Sequence, residues 1–194
     1  MPIISRGDVA EHTWMAFVDG ENFTIRGQFL ASEKGIGLRE GSWYKKDHFL
    51  WIPRRRGGEK IFEGYPSLLS HATRASYYTA LTGSDGDIRE VRESLWNIGF
   101  SPNVFKKAKN QRSKGVDIAL CRDMLTHAFR NHYEVAVLVA GDGDYVPLVE
   151  QVKRLGKPVL VWFFSEVGLS PELRLASDGF LDLTHDFLFN WTSY

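Results

Sequence analysis

The stretch Glu134-Val135-Ala136-Val137-Leu138-Val139-Ala140-Gly141-Asp142-Gly143-Asp144-Tyr145 decides how this chain is read. Val135 to Ala140 are apolar without alternation. A strand apolar on both faces suits a sheet covered on both sides, as a parallel sheet is by its crossover helices. Gly141 and Gly143 end the run and flank Asp142. Asp144 follows at once, ahead of a helical pattern that extends to Leu155. Two carboxylates therefore stand where a central strand gives way to a helix. In open α/β sheets that edge is where ligands bind. Core packing has no use for two acids there, whereas a hard cation does.

Working outward, Thr13 to Val18 reads as the first strand, closed by Asp19-Gly20. A helix opens at Glu21-Asn22-Phe23, with Phe23, Ile25, Phe29 and Leu30 as its apolar positions, and Gly35 and Gly37 end it. Arg74 to Leu81 is the second strand. After a loop at Gly83 to Gly86, the spacing of Ile88, Val91, Leu95 and Ile98 predicts a helix over Asp87 to Ile98. Asn103 to Lys107 is a short third strand. Ile118, Leu120, Cys121, Leu125 and Phe129 are the apolar positions of a helix from about Val116 to Arg130. Pro158 to Phe164 is another continuously apolar strand. Ser170-Pro171-Glu172 starts a short helix, with serine as cap and proline in the first turn. Phe180 to Leu183 is a last edge strand. Strands alternating with helices predict an α/β fold of three α/β/α layers around a mainly parallel sheet. Right-handed crossovers then bring Asp19 and Asp142 to one edge of that sheet.

The segment from Leu38 to Gly64 departs from this rhythm. It mixes Trp43, Tyr44, Phe49 and Trp51 with Lys45, Lys46, Arg54, Arg55 and Arg56, and Pro53 and Gly57-Gly58 oppose regular structure near its end. It reads as an irregular insertion or a loose hairpin. Tyr65 to His71 reads as a short helix.

Composition sets the class. The 194 residues suit one domain, or one domain with an insertion, and the hydrophobic fraction of 43% is that of a globular core. Lysine plus arginine and aspartate plus glutamate both total 24, so a nucleic-acid partner would have to be held by a local patch and not by overall charge. The lone Cys121 excludes an internal disulfide and a multi-cysteine zinc site, and reads as a packing residue. No signal-peptide pattern opens the chain and no apolar run reaches ~18 residues, so the expectation is a cytoplasmic protein without a membrane partner.

Three places supply acids: Asp19 after the first strand, Asp117 in the first turn of its helix, and Asp142 with Asp144 after the central strand. Singly, each has an ordinary explanation. Asp117 and Asp144 sit at helix starts, where acids cap amides and complement the dipole. Asp19-Gly20 and Asp142 between glycines suit turns. Gathered at one edge, they repel one another unless a divalent cation neutralises them. An all-oxygen set points to Mg2+ or Mn2+ and not zinc, and such ions activate water for attack at phosphorus. Asp123 lies six residues beyond Asp117, off its helical face, and reads as a cap or salt-bridge residue. The histidines form no spaced metal set; His127 and His132 read as surface residues. Ser84 and Ser165 have no visible base, no G-x-S-x-G is present, and a phosphate-cradling P-loop is absent.

Val18-Asp19-Gly20-Glu21-Asn22, Lys114-Gly115-Val116-Asp117-Ile118, Gly141-Asp142-Gly143-Asp144-Tyr145 and Val152-Lys153-Arg154-Leu155-Gly156-Lys157, in this order, resemble the NYN domain, a branch of the PIN-like nucleases. The resemblance runs from about Trp14 to Leu183. It implies a PIN-like fold over a single domain, 1–194, in which about 38–64 is an addition. It also implies an acidic, metal-dependent site and a ribonuclease role. Asp19, Asp117, Asp142 and Asp144 match the acidic positions, Asn22 the asparagine beside the first acid, and Asp123 a further, supporting acid.

The reading that follows is a Mg2+- or Mn2+-dependent endoribonuclease acting on single-stranded or structured RNA. Asp19, Asp142 and Asp144 would bind metal, and Asp117 would help to hold it or position water. The alternatives are a catalytically weak RNA-binding or protein-interaction module and a small-molecule phosphohydrolase using the same acids. Lys106, Lys107, Lys109, Arg112 and Lys114 lead into Asp117 and are the first candidates for RNA contact. Arg54, Arg55 and Arg56 are the second, with Trp43, Tyr44 and Trp51 as stacking surfaces. The sequence also leaves a homo-oligomer open.

Overall fold

The computed structural model of the chain describes residues 12–37, 43–45, 49–51, 72–108 and 114–191. The strands are β1 (Trp14–Asp19), β2 (Trp43–Lys45), β3 (Phe49–Trp51), β4 (Arg74–Leu81), β5 (Ser101–Lys106), β6 (Val135–Val139), β7 (Val159–Phe163) and β8 (Gly179–Asp182). The helices are α1 (Gly20–Glu33), α2 (Asp85–Asn97), α3 (Lys114–Phe129), α4 (Val146–Arg154), α5 (Pro171–Ala176) and α6 (Thr184–Trp191), with a 3-10 turn at Gly143–Tyr145 ahead of α4.

Six strands form one sheet in the order β5-β4-β1-β6-β7-β8, and every neighbouring pair is parallel. From β1 the chain builds outward on one side through β4 and β5. It then returns to the other side of β1 with β6, β7 and β8. The order thus reverses between β1 and β6, and a crevice opens there at the carboxyl ends of the strands. Register fixes the two ends side by side, with Val18 opposite Val139. The sequence expectation that Asp19 and Asp142 share an edge is met by this topology.

All residues of β1, β6 and β7 are buried, as the apolar runs of β6, β7 and β1 up to Val18 require in a sheet covered on both faces. Alternate strand residues divide between two cores. Ala16, Val18, Val137 and Val139 pack with Phe23 and Leu30 of α1, Val91 and Leu95 of α2, and Phe187 of α6. Met15, Phe17, Ala136 and Leu138 pack with Leu120 and Met124 of α3, Val149 and Val152 of α4, and Leu173 of α5. Each such fully buried apolar side chain contributes roughly 1.5–3 kcal/mol.

The apolar positions expected for α2 are all buried, whereas α1 and α3 each expose two of theirs. Ile25 and Phe29 of α1 are 45% and 51% exposed, and α1 instead buries Thr24 and Gly27 beside Phe23, Leu30 and Ala31. Tyr77 of β4 sets part of that buried face. A Cβ at Gly20 would lie 1.9 Å from its ring, and the Thr24 hydroxyl hydrogen-bonds its hydroxyl at 3.1 Å. An aromatic neighbour selects small and hydroxylated residues for that face. In α3, Ile118 and Phe129 are 68% and 81% exposed, while Val116, Ala119, Leu120, Met124 and Ala128 point inward. The inward set follows the i, i+4, i+8 spacing of Val116, Leu120 and Met124, with alanines filling the closest approaches.

Strand β5 begins at Ser101, before the expected Asn103, and runs through Pro102. Proline is tolerated there because β5 is the sheet's edge. Within the expected insertion, β2 and β3 pair antiparallel, Trp43 opposite Trp51. Tyr65 to His71 lies outside the described residues. The unforeseen helix α6 follows Asp182, whose Oδ1 accepts the Thr184 N–H at 2.9 Å.

Candidate functional site

Three parts of the chain far apart in sequence meet at the crevice beside β1. Asp19 ends β1 and caps α1, its Oδ1 accepting the Asn22 N–H at 3.0 Å. Aspartate suits that place because its side chain serves an amide that the helix leaves unpaired. Its other oxygen, Oδ2, accepts the Tyr145 hydroxyl at 2.9 Å. The same hydroxyl stands 3.3 Å from Oδ1 of Asp117, in the first turn of α3. Tyr145 closes the 3-10 turn that Asp142 caps by accepting the Asp144 N–H at 3.1 Å. Asn22 accepts the Gly141 N–H on its Oδ1 at 3.0 Å, which ties the start of α1 to the turn after β6.

The electrostatics are those of acids short of positive charge. Asp19 is 6% exposed, and burial pushes its pKa up to about 6. The Asn22 amide and the Tyr145 hydroxyl pull it down, and the charges of Asp117 and Glu21 push it up. Asp117 is exposed as a residue, yet the protein crowding its carboxyl group raises its pKa. Asp142, Glu21 and Asp144 raise it further by their charge. Asp142 and Asp144 themselves are exposed. Burial and the Asp117 charge also hold the Cys121 thiol protonated, so it is no nucleophile.

Two participants escaped the sequence reading. Tyr145 is buried, and a buried tyrosine hydroxyl needs a partner; its place directly after Asp144 was the available signal. Glu21 looked like a routine acid of a helix's first turn. It carries charge to both Asp19 and Asp117, and it pairs with Lys107 Nζ at 3.0 Å.

Other expected residues lie elsewhere. Asp123 accepts the Tyr78 hydroxyl at 3.0 Å and pairs with Arg122 at 2.8 Å. Lys106 pairs with Asp85 at the start of α2, at 2.8 Å. Lys109, Arg112, Arg54, Arg55 and Arg56 fall outside the described residues, and Lys114 is described only as the first residue of α3. Among the described residues, no three histidine, cysteine, aspartate or glutamate side chains stand close enough to hold a metal ion ready-made.

A family model for the NYN domain matches residues 14–184. The chain belongs to the NYN domain family. NYN domains are PIN-like, act on nucleic acids, are generally nucleases and usually need a divalent metal. The donors at this NYN crevice are of the oxygen type that such an ion takes, and burial and mutual repulsion hold two of them above the ordinary carboxylate range. The crystal structure of a protein of unknown function from Vibrio parahaemolyticus is similar in fold, at 20% sequence identity and a TM-score of 0.60. The match covers 91% of this chain and 96% of that one. No curated protein sequence matches the chain. Among the described residues no helix is long and apolar enough to cross a membrane.

Proposed function

We propose that this NYN protein is an endoribonuclease dependent on Mg2+ or Mn2+, hydrolysing phosphodiester bonds of single-stranded or structured RNA. The observation that carries the proposal is the buried Asp19 joined to Asp117 through Tyr145 at the strand-order reversal, with both carboxyl pKa values raised. Asp19, Asp142 and Asp144 would hold the ion, and Asp117 would help to hold it or position water. Held by these residues, a divalent ion would supply charge to the phosphate oxygens and activate water for in-line attack. Asn22 supports the set by fixing the Gly141 backbone, and Asp123 supports it at a distance by fixing Tyr78. Lys107, paired with Glu21, would meet the RNA backbone, as would Lys106, Lys109, Arg112 and Lys114, the other cations that precede Asp117 in sequence.

The test is cleavage of labelled RNA by the pure protein with and without Mg2+ or Mn2+, beside Asp142→Asn. Asparagine caps the 3-10 turn as well as aspartate does, so the variant is expected to fold with stability unchanged within about 0.5 kcal/mol. It is expected to lose metal-dependent cleavage. Cleavage at the wild-type rate with the same metal dependence would remove Asp142 from the ligand set. Metal-independent RNA binding without cleavage by the wild type would make the protein a binding module on a nuclease fold.

A further inference from the structure

We infer that the Tyr145 hydroxyl is a placeholder for the cation: it occupies the acid pair until the ion arrives and must give up Asp19 for the ion to bind. The inference rests on the reading of these acids as cation ligands, and adds a residue that tunes them. Its basis is the arithmetic of one proton. The hydroxyl lies 2.9 Å from Asp19 Oδ2 and 3.3 Å from Asp117 Oδ1, and it can donate to only one of them at a time. The acceptor left out faces the phenolic oxygen's lone pairs across the same gap. Asp19 Oδ1 accepts the Asn22 amide, which leaves Oδ2 as the oxygen turned to the phenol. Tyr145 therefore half-satisfies a pair that a doubly charged ion would satisfy completely.

The location of Tyr145 gives the displacement a consequence. It closes the short 3-10 turn that begins at Gly143 and is capped by Asp142. Asp142, Asp144 and Tyr145 thus share one short turn, so the phenol and the two exposed acids are carried by the same piece of backbone. No three acids converge among the described residues. Release of Tyr145 from Asp19 is the rearrangement that would let Asp142 and Asp144 close on the same ion as Asp19. A 3-10 turn placed directly ahead of a helix is a common site for such local adjustment.

The experiment titrates Mg2+ and Mn2+ calorimetrically, without RNA, into the wild type and Tyr145→Phe. The variant keeps the buried ring and loses only the hydroxyl. Its cation-free form loses a hydrogen bond to a charged group while its loaded form does not, so it is expected to bind either ion roughly tenfold more tightly. Its cation-free melting temperature should fall, and the difference from wild type should shrink at saturating ion. Mg2+ should also produce a tyrosine ultraviolet difference spectrum in the wild type that Tyr145→Phe lacks. Equal or weaker ion binding by the variant, or a wild-type difference spectrum that survives in it, would overturn the inference and leave the nuclease proposal standing. Absence of ion binding by the wild type would overturn both.

Discussion

Asp19 is at once a helix cap, the acceptor of a buried phenol and one of a crowded set of acids. The three roles conflict once it ionises. Its folded-state pKa of about 6 lies above the ordinary 3.8, so its contribution to stability is complete below about pH 4 and is lost as pH rises through about 6. Asp117, also raised, acts in the same direction. Cation-free protein should therefore weaken between these limits. Asp19→Asn removes the charge but can keep every bond: its oxygen caps Asn22, its amide donates to the Tyr145 oxygen, and the phenolic proton goes to Asp117. The variant is expected to exceed the wild type by about 2–3 kcal/mol at pH 8 and to lose that advantage at about pH 4. Urea unfolding without divalent ions, at both pH values, measures it, and an advantage independent of pH would place the raised pKa elsewhere. At this scale the sequence shows where acids stand along the chain. Four acids at strand and helix ends could be named from their spacing alone. Tyr145 and Glu21 could not, since a phenol reads as core and an acid in a first turn reads as dipole compensation.

Among the elements, the turn after β6 depends on glycine for a reason that spacing alone does not contain. A Cβ on Gly141 would lie 2.2 Å from the Gly168 carbonyl oxygen and 2.3 Å from the Phe163 ring. The backbone of the loop beyond β7 cannot yield as a flexible side chain can. Gly141→Ala should therefore cost roughly 1–3 kcal/mol and loosen the Asn22 bond that holds Asp142 in register. Gly143→Ala should cost less than about 1 kcal/mol, because the nearest atom, 3.0 Å away, is the hydroxyl of Ser170. Thermal unfolding of both variants tests the contrast, and equal losses would show that the turn tolerates neither for a shared reason. Read from sequence, both glycines were interruptions of an apolar run. Their different tightness is set by residues about 20 to 30 positions away, which no local window includes. The buried face of α1 depends in part on a distant residue in the same way. Tyr77 limits what α1 can bury, and the apolar positions chosen for α3 included Ile118 and Phe129, which face solvent.

At the scale of the whole molecule, the sheet's parallel order was legible because β6 and β7 are apolar on both faces, and that order alone brings Asp19 and Asp142 together. The basic approach was not resolved in the same way. Lys106 and Lys107 are neighbours in sequence, yet one pairs with Asp85 and the other with Glu21, as the two-residue period at the end of a strand requires. Only Lys107 is tied to a group that acts on the acids. With a net charge of zero the molecule has no general attraction for RNA, so a phosphate entering the crevice must compete with Glu21 for Lys107. Lys107→Ala should weaken RNA binding and flatten its salt dependence by about 0.7 in log–log slope for a single strand, the value of one lost phosphate contact. Glu21→Gln should do the reverse, strengthening binding by releasing Lys107 and reducing the negative charge around Asp19 and Asp117. Adding Lys109→Ala and Arg112→Ala to Lys107→Ala should flatten the slope further, with little change in ion affinity. RNA affinity across a salt series, measured without divalent ions on the Asp142→Asn background, distinguishes these. If Lys107→Ala leaves the slope unchanged while Glu21→Gln still strengthens binding, Lys107 serves only as the counterion of Glu21, and RNA reaches the acids past other cations.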